Sequence, residues 1–455
     1  NTIGSSMIKW NMASFMGRIN YNYLGRYLLT VSARYDGSSR LADGHKWVLF
    51  PSAALAWRIN EESFMSSTSG WLDNLKLRLG FGKTGNSAVD PYQTKGTLSL
   101  IRYPFDNGGT PTIGYAPNAM ANSLLTWETT DQWNLGIDFG VLRGRINGTI
   151  DLYMQNTHDL LLKRQLPVVS GLSNVGKTRN KGIEVSINSM NINSKDFQWT
   201  TDLMLSSNKE EIVELYNGKN DDIGSKWFIG QPVNVHYDYR KVGIWQNTES
   251  DLAEMAKFAA NGTEFAPGDI KIQDVNGDYK ITDADKQILG NPRPKLIASM
   301  VNTFNYKGFD LSVFLYASFG AMLYNDIYAV EHCGRNGGVK VDYWTPNNPT
   351  NAYPRPSIDE ERPIYITSTY YEKADFLRVK TMTLGYTLPK TLTNKFLVEK
   401  LRVYFTAQNP FIFTNYTGID PEAAKVNSAG NPETNGSGFG TPSVSSWIFG
   451  INLTL

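Results

Sequence analysis

Hydrophobic and polar residues alternate along most of the chain with a period of two, the pattern of strands whose two faces meet different surroundings. In Leu75 to Gly82, Leu75, Leu77, Leu79 and Phe81 fall on one face and Lys76 and Arg78 on the other. Tyr27, Leu29, Val31, Ala33 and Tyr35 oppose Thr30, Ser32, Arg34 and Asp36, and Ile146, Ile150, Leu152 and Met154 oppose Arg145, Asn147, Thr149, Asp151 and Gln155. Phe309, Leu311, Val313 and Leu315 oppose Asp310 and Ser312, and Leu401, Val403 and Phe405 oppose Arg402, Thr406 and Gln408. The runs last about 9–12 residues, where average soluble strands have about 5–6 and a tilted strand crossing a bilayer needs about 9–11. The pattern predicts about fourteen such strands. In the last, Trp447, Phe449, Ile451, Leu453 and Leu455 alternate with Ile448, Gly450, Asn452 and Thr454, as suits a barrel that closes with its C-terminal strand.

The connections are expected to fall into two classes. Leu24-Gly25-Arg26, Leu142-Arg143-Gly144, Ser194-Lys195-Asp196 and Lys307-Gly308 read as tight turns, whereas 84–123, 157–180, 245–295, 318–374 and 415–445 are long and polar. Short turns at one end and long loops at the other are the periplasmic and extracellular ends of an outer-membrane barrel. The fold class is therefore all-β, a transmembrane antiparallel β-barrel; closing the sheet would also remove the exposed edges of so long a sheet. The competing reading of the alternation is a soluble β-sandwich. One segment breaks the pattern. Thr248 to Asn261 predicts a short helix, with Thr248 as cap, a stripe of Leu252, Met255, Ala256 and Ala259, and Asn261-Gly262 as stop. Counting strand directions back from a periplasmic C-terminus puts the 245–295 insertion outside the cell.

Composition sharpens this. The chain has 455 residues and 44 Lys and Arg against 43 Asp and Glu, a balance that argues against a nucleic-acid binder. Phe309 to Leu323, the most apolar stretch, is shorter than the roughly 20 residues of a spanning helix and contains Asp310, Ser312 and Ser318. A helical membrane protein is excluded; a β-barrel is not. A mean hydropathy of -0.34 fits a barrel in which alternate residues face a wet lumen, and 12% aromatic residues fit interfacial girdles and loops. The single cysteine, Cys333, allows no internal disulfide and no Cys-rich metal site, and with His332 it reads as a loop pair. The four histidines have no zinc-type spacing. No signal peptide is visible at Asn1-Thr2-Ile3, and a further N-terminal part is expected.

One motif carries metal chemistry. Asp274, Asn276, Asp278 and Asp285 stand at positions 1, 3, 5 and 12 of a calcium-type loop, with the Lys280 carbonyl at position 7. A hard cation needs oxygen donors converging at this spacing, so structural calcium is the expected cofactor. Tyr279 departs from the pattern, where glycine usually permits the sharp turn. The competing reading is a polar turn with Asp285 capping the segment after Thr282. No catalytic constellation is found, so no enzymatic activity is expected. Glu210-Glu211 and Glu360-Glu361 read as solvated loop charges. Gly436, Gly438 and Gly440 lie in a long loop with no following helix, so they do not cradle phosphate. Among the loop aromatics Tyr324, Tyr328, Tyr343, Trp344 and Tyr353, Tyr324 and Trp344 are the candidate substrate-binding residues; loop packing is the alternative.

Several blocks resemble one family in order and spacing. They are Arg34-Tyr-Asp-Gly-Ser-Ser-Arg40, Phe50-Pro-Ser-Ala-Ala-Leu-Ala-Trp57, Leu75-Lys-Leu-Arg-Leu-Gly-Phe-Gly-Lys-Thr-Gly-Asn86 and Trp127-Glu-Thr-Thr-Asp-Gln-Trp-Asn-Leu-Gly-Ile-Asp138. Asn180-Lys-Gly-Ile-Glu184 follows, then Pro267-Gly-Asp-Ile ahead of the calcium-like loop, Leu377 through Pro389, and Asn409-Pro-Phe with Asp420-Pro-Glu422. In this order the chain resembles the SusC/RagA family of TonB-dependent outer-membrane transporters. The resemblance covers the family's C-terminal half and implies the last strands of a barrel of about 22 strands, the plug domain and first strands lying outside this chain. It further implies energised import of oligosaccharides or peptides. A SusD-like surface lipoprotein would serve as lid and TonB would act through the plug, with transporter–lipoprotein pairs able to dimerise. A passive porin and a soluble carbohydrate-binding β protein are the alternatives.

Overall fold

The computed structural model describes residues 7–103, 109, 112–165, 170–325, 340–356, 362–393, 395, 398–422 and 442–454. Among the described residues, thirteen strands form one sheet in which strands lie side by side in chain order. They are β1 (Met12–Tyr23), β2 (Tyr27–Ser38), β3 (Trp47–Arg58), β4 (Leu72–Asn86), β5 (Glu128–Val141), β6 (Ile146–His158) and β7 (Lys177–Asn193). The remainder are β8 (Phe197–Glu214), β9 (Leu296–Tyr306), β10 (Phe309–Phe319), β11 (Phe376–Thr387), β12 (Lys400–Thr414) and β13 (Ser446–Thr454). Alternation predicted about one strand more. The ribbon Thr97–Tyr103 with Thr112–Ala119 pairs apart, in a small four-stranded sheet with Leu161–Gln165 and Ser170–Asn174.

The chain divides into two compact units, Asn1–Ser189 with Ser206–Val233, and Met190–Leu205 with Asn234–Leu455. In the first unit antiparallel registers run unbroken along one row of the sheet. Tyr21 pairs with Leu29, Leu29 with Leu55, Leu55 with Leu79, Leu79 with Leu135, Leu135 with Leu152, and Leu152 with Ile183. All seven are exposed, from 39% at Leu29 to 57% at Tyr21. In the second unit Phe304, Leu311, Leu384, Phe405 and Phe449 make the equivalent row. The exposed row from Tyr21 to Ile183, and the exposed Leu384, Phe405 and Phe449 of the second, have no place in water, where contiguous patches are small; they suit hydrocarbon.

The opposite face carries charge. Lys76 Nζ lies 2.6 Å from Asp138, and Arg78 lies 2.8 Å from Asp138 and 3.0 Å from Asp151. Arg78 reaches Asp151 by crossing β5 at Gly136, where a Cβ would come within 2.6 Å of the guanidinium carbon. In the second unit Arg402 and Asp310 join across β11 in the same way, through hydrogen bonds of 2.9 and 2.5 Å, above Gly385.

The predicted tight turns all form. Leu24 and Gly25, Leu142 to Gly144, and Lys307 with Gly308 adopt positive φ, the left-handed geometry a tight reversal requires. Connections alternate along the strand order. The segments 24–26, 59–71, 142–145, 194–196, 307–308 and 388–399 are short, while 87–127, 159–176, 215–295, 320–375 and 415–445 are long. The exception is 39–46, a short connection among the long ones. The insertion expected over 245–295 starts earlier, because β8 ends at Glu214 and β9 begins at Leu296.

Candidate functional site

The long connections 215–295 and 320–375 hold most of the buried core of the second unit. Ile244, Ile270 and Ile272 come from a two-stranded ribbon, Lys241–Ile244 with Ile270–Ile272, and pack with Trp344, Ile366 and Tyr370. The predicted helix forms over Glu249–Ala260. The Thr248 side chain accepts the Asp251 N–H, and Asn261 caps the other end. The helix buries Met255 and Phe258 against Trp245. Lys271 lies 3.3 Å from Asp251 and 2.5 Å from Glu254, with its ammonium 4.0 Å above the Trp245 ring.

The 274–285 loop closes on itself. Asp274 accepts the Gly277 N–H at 2.7 Å and the Tyr279 N–H at 2.8 Å; Asn276 accepts the Asp278 N–H, and Asp278 the Lys280 N–H. Tyr279 takes φ +54, so the tyrosine supplies the left-handed residue that glycine usually provides. Asp285 is fully buried. It accepts from Val275 and Thr282 N–H and closes a capping box on Thr282, as the capping alternative expects. Among the described residues no three His, Cys, Asp or Glu side chains converge as a metal-binding group, and no cation pairs with Asp285.

Trp344 is only 6% exposed and donates its indole N–H to Gln246 at 2.8 Å. Tyr324 meets Tyr370 and Tyr371 edge to face. Trp344 belongs to the loop core and Tyr324 packs against it. Tyr343 is exposed and pairs with Tyr353 in a single bridge. Tyr328, His332, Cys333, Glu360, Glu361 and Gly436 to Gly440 lie outside the described residues.

The sequence pattern did not single out three further features. Lys241 is half-buried with its ammonium on the Ala352 carbonyl at 2.6 Å, and burial pushes its pKa down to about 8. The Tyr371 hydroxyl donates to Asp238 at 3.1 Å, and burial raises its pKa well above the usual phenol range. A cleft of about 310 Å³ opens between the 262–270 segment and the residues Pro354, Arg355 and Pro363 to Tyr365. The Pro267-Gly-Asp-Ile block builds one of its walls. Gly268 has φ +92, and a Cβ there would press within 2.5 Å of the Trp344 ring.

Residues 8–410 match the profile of the TonB dependent receptor-like β-barrel family. TonB-dependent receptor P3 of Formosa agariphila is 33% identical over 97% of this chain and 45% of its own length. TonB-dependent receptor SusC of Bacteroides thetaiotaomicron is 35% identical over 90% of this chain and 41% of its own length. Among solved structures, the RagAB peptide importer in its open-open state is 25% identical, with a TM-score of 0.79 over 98% of this chain and 47% of that one. The chain thus spans less than half the length of these relatives. The chain belongs to the TonB-dependent receptor β-barrel family, and it resembles the SusC- and RagA-type members over nearly its whole length.

Proposed function

We propose that this chain is the C-terminal barrel portion of an outer-membrane importer that takes up oligosaccharides or peptides. It would work with a SusD-like surface lipoprotein and with TonB acting through a plug domain outside this chain. The observation that carries the reading is the family match joined to the exposed apolar row from Tyr21 to Ile183. A soluble carbohydrate-binding protein would have no use for that row. The long connections offer surface for the lipoprotein and the ligand, and the charged face supplies a polar lining. No bond is made or broken; binding and gated passage are the mechanism. Membrane extracts give the test. The protein should co-purify with a lipoprotein and show heat-modifiable migration on a detergent gel, and mass spectrometry of the co-purifying ligand should identify a glycan or a peptide. A complex with neither lipoprotein nor plug-bearing sequence would favour a passive porin.

Within the same reading, the 274–285 loop is proposed to hold a structural calcium ion through Asp274, Asn276, Asp278, the Lys280 carbonyl and Asp285. The left-handed Tyr279 supports it, because it makes the sharp turn at the position where calcium loops usually carry glycine. Extracellular calcium modules bind at about 0.1–1 mM. Calcium at that level should raise the melting temperature, and the shift should vanish in Asp274→Ala/Asp278→Ala. An unchanged melt at millimolar calcium counts against the site.

A further inference from the structure

We infer that the cleft lined by Gly262 to Phe265, Asp269, Pro354, Arg355 and Pro363 to Tyr365 binds an aliphatic ammonium group, the head of a lysine side chain. Its volume, about 310 Å³, lies at the lower end of small-ligand sites. Among the described residues the charged lining is paired internally with one exception, Glu264. The Thr263 hydroxyl accepts the Ile281 N–H at 3.4 Å. Asp269 accepts the Ala266 N–H at 2.8 Å and pairs with Arg355 at 2.9 Å, and the Arg355 N–H is fixed on the Gly268 carbonyl. Glu264 also lines the cleft and is exposed, yet it makes no hydrogen bond or ion pair with any described residue. Among the lining charges, Asp269 and Arg355 cancel and Glu264 leaves a net negative charge.

The walls suit a cation on a carbon stem. Phe265 and Tyr365 present two half-buried rings with centroids 6.3 Å apart, and ring faces attract ammonium groups. Tyr365 is held at φ +63, where its carbonyl accepts both the N–H and the hydroxyl of Ser368. Pro354, Pro363 and Ile364 offer apolar surface to the methylenes, and Ile364 is 63% exposed. The insertion already uses this chemistry within itself. Lys271 sits between two carboxylates and the Trp245 ring, and Lys286 lies 5.2 Å above Tyr239. The cleft has the carboxylate and the rings with no lysine of its own lining it. A carboxylate ligand would meet Glu264, and a neutral one would leave it unpaired.

The proposal is independent of the import reading, since the cleft can be probed on the purified membrane complex without transport. Calorimetry or ligand-observed NMR would compare three probes: N-acetyl-lysine methylamide, its side-chain-acetylated form, and N-acetyl-aspartate methylamide. The lysine probe should bind, weaken with added salt, and lose about threefold in affinity in Glu264→Gln, as a solvent-exposed carboxylate–ammonium contact implies. Glu249→Gln, an exposed change outside the cleft lining, should leave binding unchanged and controls for the loss of one negative charge elsewhere on the insertion. Equal binding of the acetylated probe, preferential binding of the aspartate probe, or no binding of any probe would overturn the assignment. If free butylamine binds as tightly as the lysine probe, the ammonium itself is the ligand; tighter binding of the lysine probe assigns a peptide-borne side chain.

Discussion

At the scale of single residues, two positions carry consequences that composition hides. Gly136 leaves the space through which Arg78 reaches Asp151. Gly136→Val should displace the guanidinium and destabilise the protein by roughly 1–3 kcal/mol, the usual cost of overpacking. Gly80→Ala should be tolerated, since a Cβ there meets only Asn134 at 3.9 Å; the pair is compared by the temperature at which heat-modifiable migration is lost. Lys241 gives a pH prediction. Its pKa is about 8 in the folded protein against an ordinary 10.5, so burial disfavours the charged form. The penalty is present in full below pH 8. It is relieved as pH rises through the window between the two values, where the unfolded chain holds the extra proton. Stability of the 241–272 ribbon should therefore rise with pH across that window. Lys241→Met should stabilise the ribbon at neutral pH and remove the slope, as read by hydrogen exchange.

At the scale of elements, what was legible in the sequence depended on whether the signal was local. The helix over Glu249–Ala260 was readable because its cap, stripe and stop all lie within it. Thr248→Ala should cost about 1 kcal/mol, seen as faster exchange of the first-turn amides with β1 to β4 unaffected. The tight turns were readable for the same reason. The packing around Trp344 and Tyr324 was not. Loop aromatics have no period, and what buries Trp344 arrives from Ile244, Ile270 and Ile272, far away in sequence. The cleft was equally hidden, because Glu264 and Tyr365 meet only through the fold. The calcium-type loop was visible as spacing, but the left-handed Tyr279 that answers its missing glycine was not.

At the scale of the whole molecule, the apolar row makes the sheet a membrane element. A charge placed at its middle should be expensive. Leu135→Lys should destabilise by about 2–4 kcal/mol if Leu135 lies near the bilayer centre, whereas Asn134→Lys, on the opposite face, should leave insertion intact. The measurement is folding into lipid vesicles followed by the gel shift; equal effects of the two changes would refute the assignment of faces.

The bridges over glycine have a further consequence for how such a sheet finds its pairing. Alternation is a parity signal. It forbids a strand from sliding by one residue, because every side chain would change face, but it says nothing against sliding by two. A slide of two between β4 and β5 would bring Asn134 or Asp138 opposite Arg78 in place of Gly136, and the passage to Asp151 would close. The same holds for Gly385 between Asp310 and Arg402. A residue with no side chain therefore tells the correct alignment from its nearest degenerate copy.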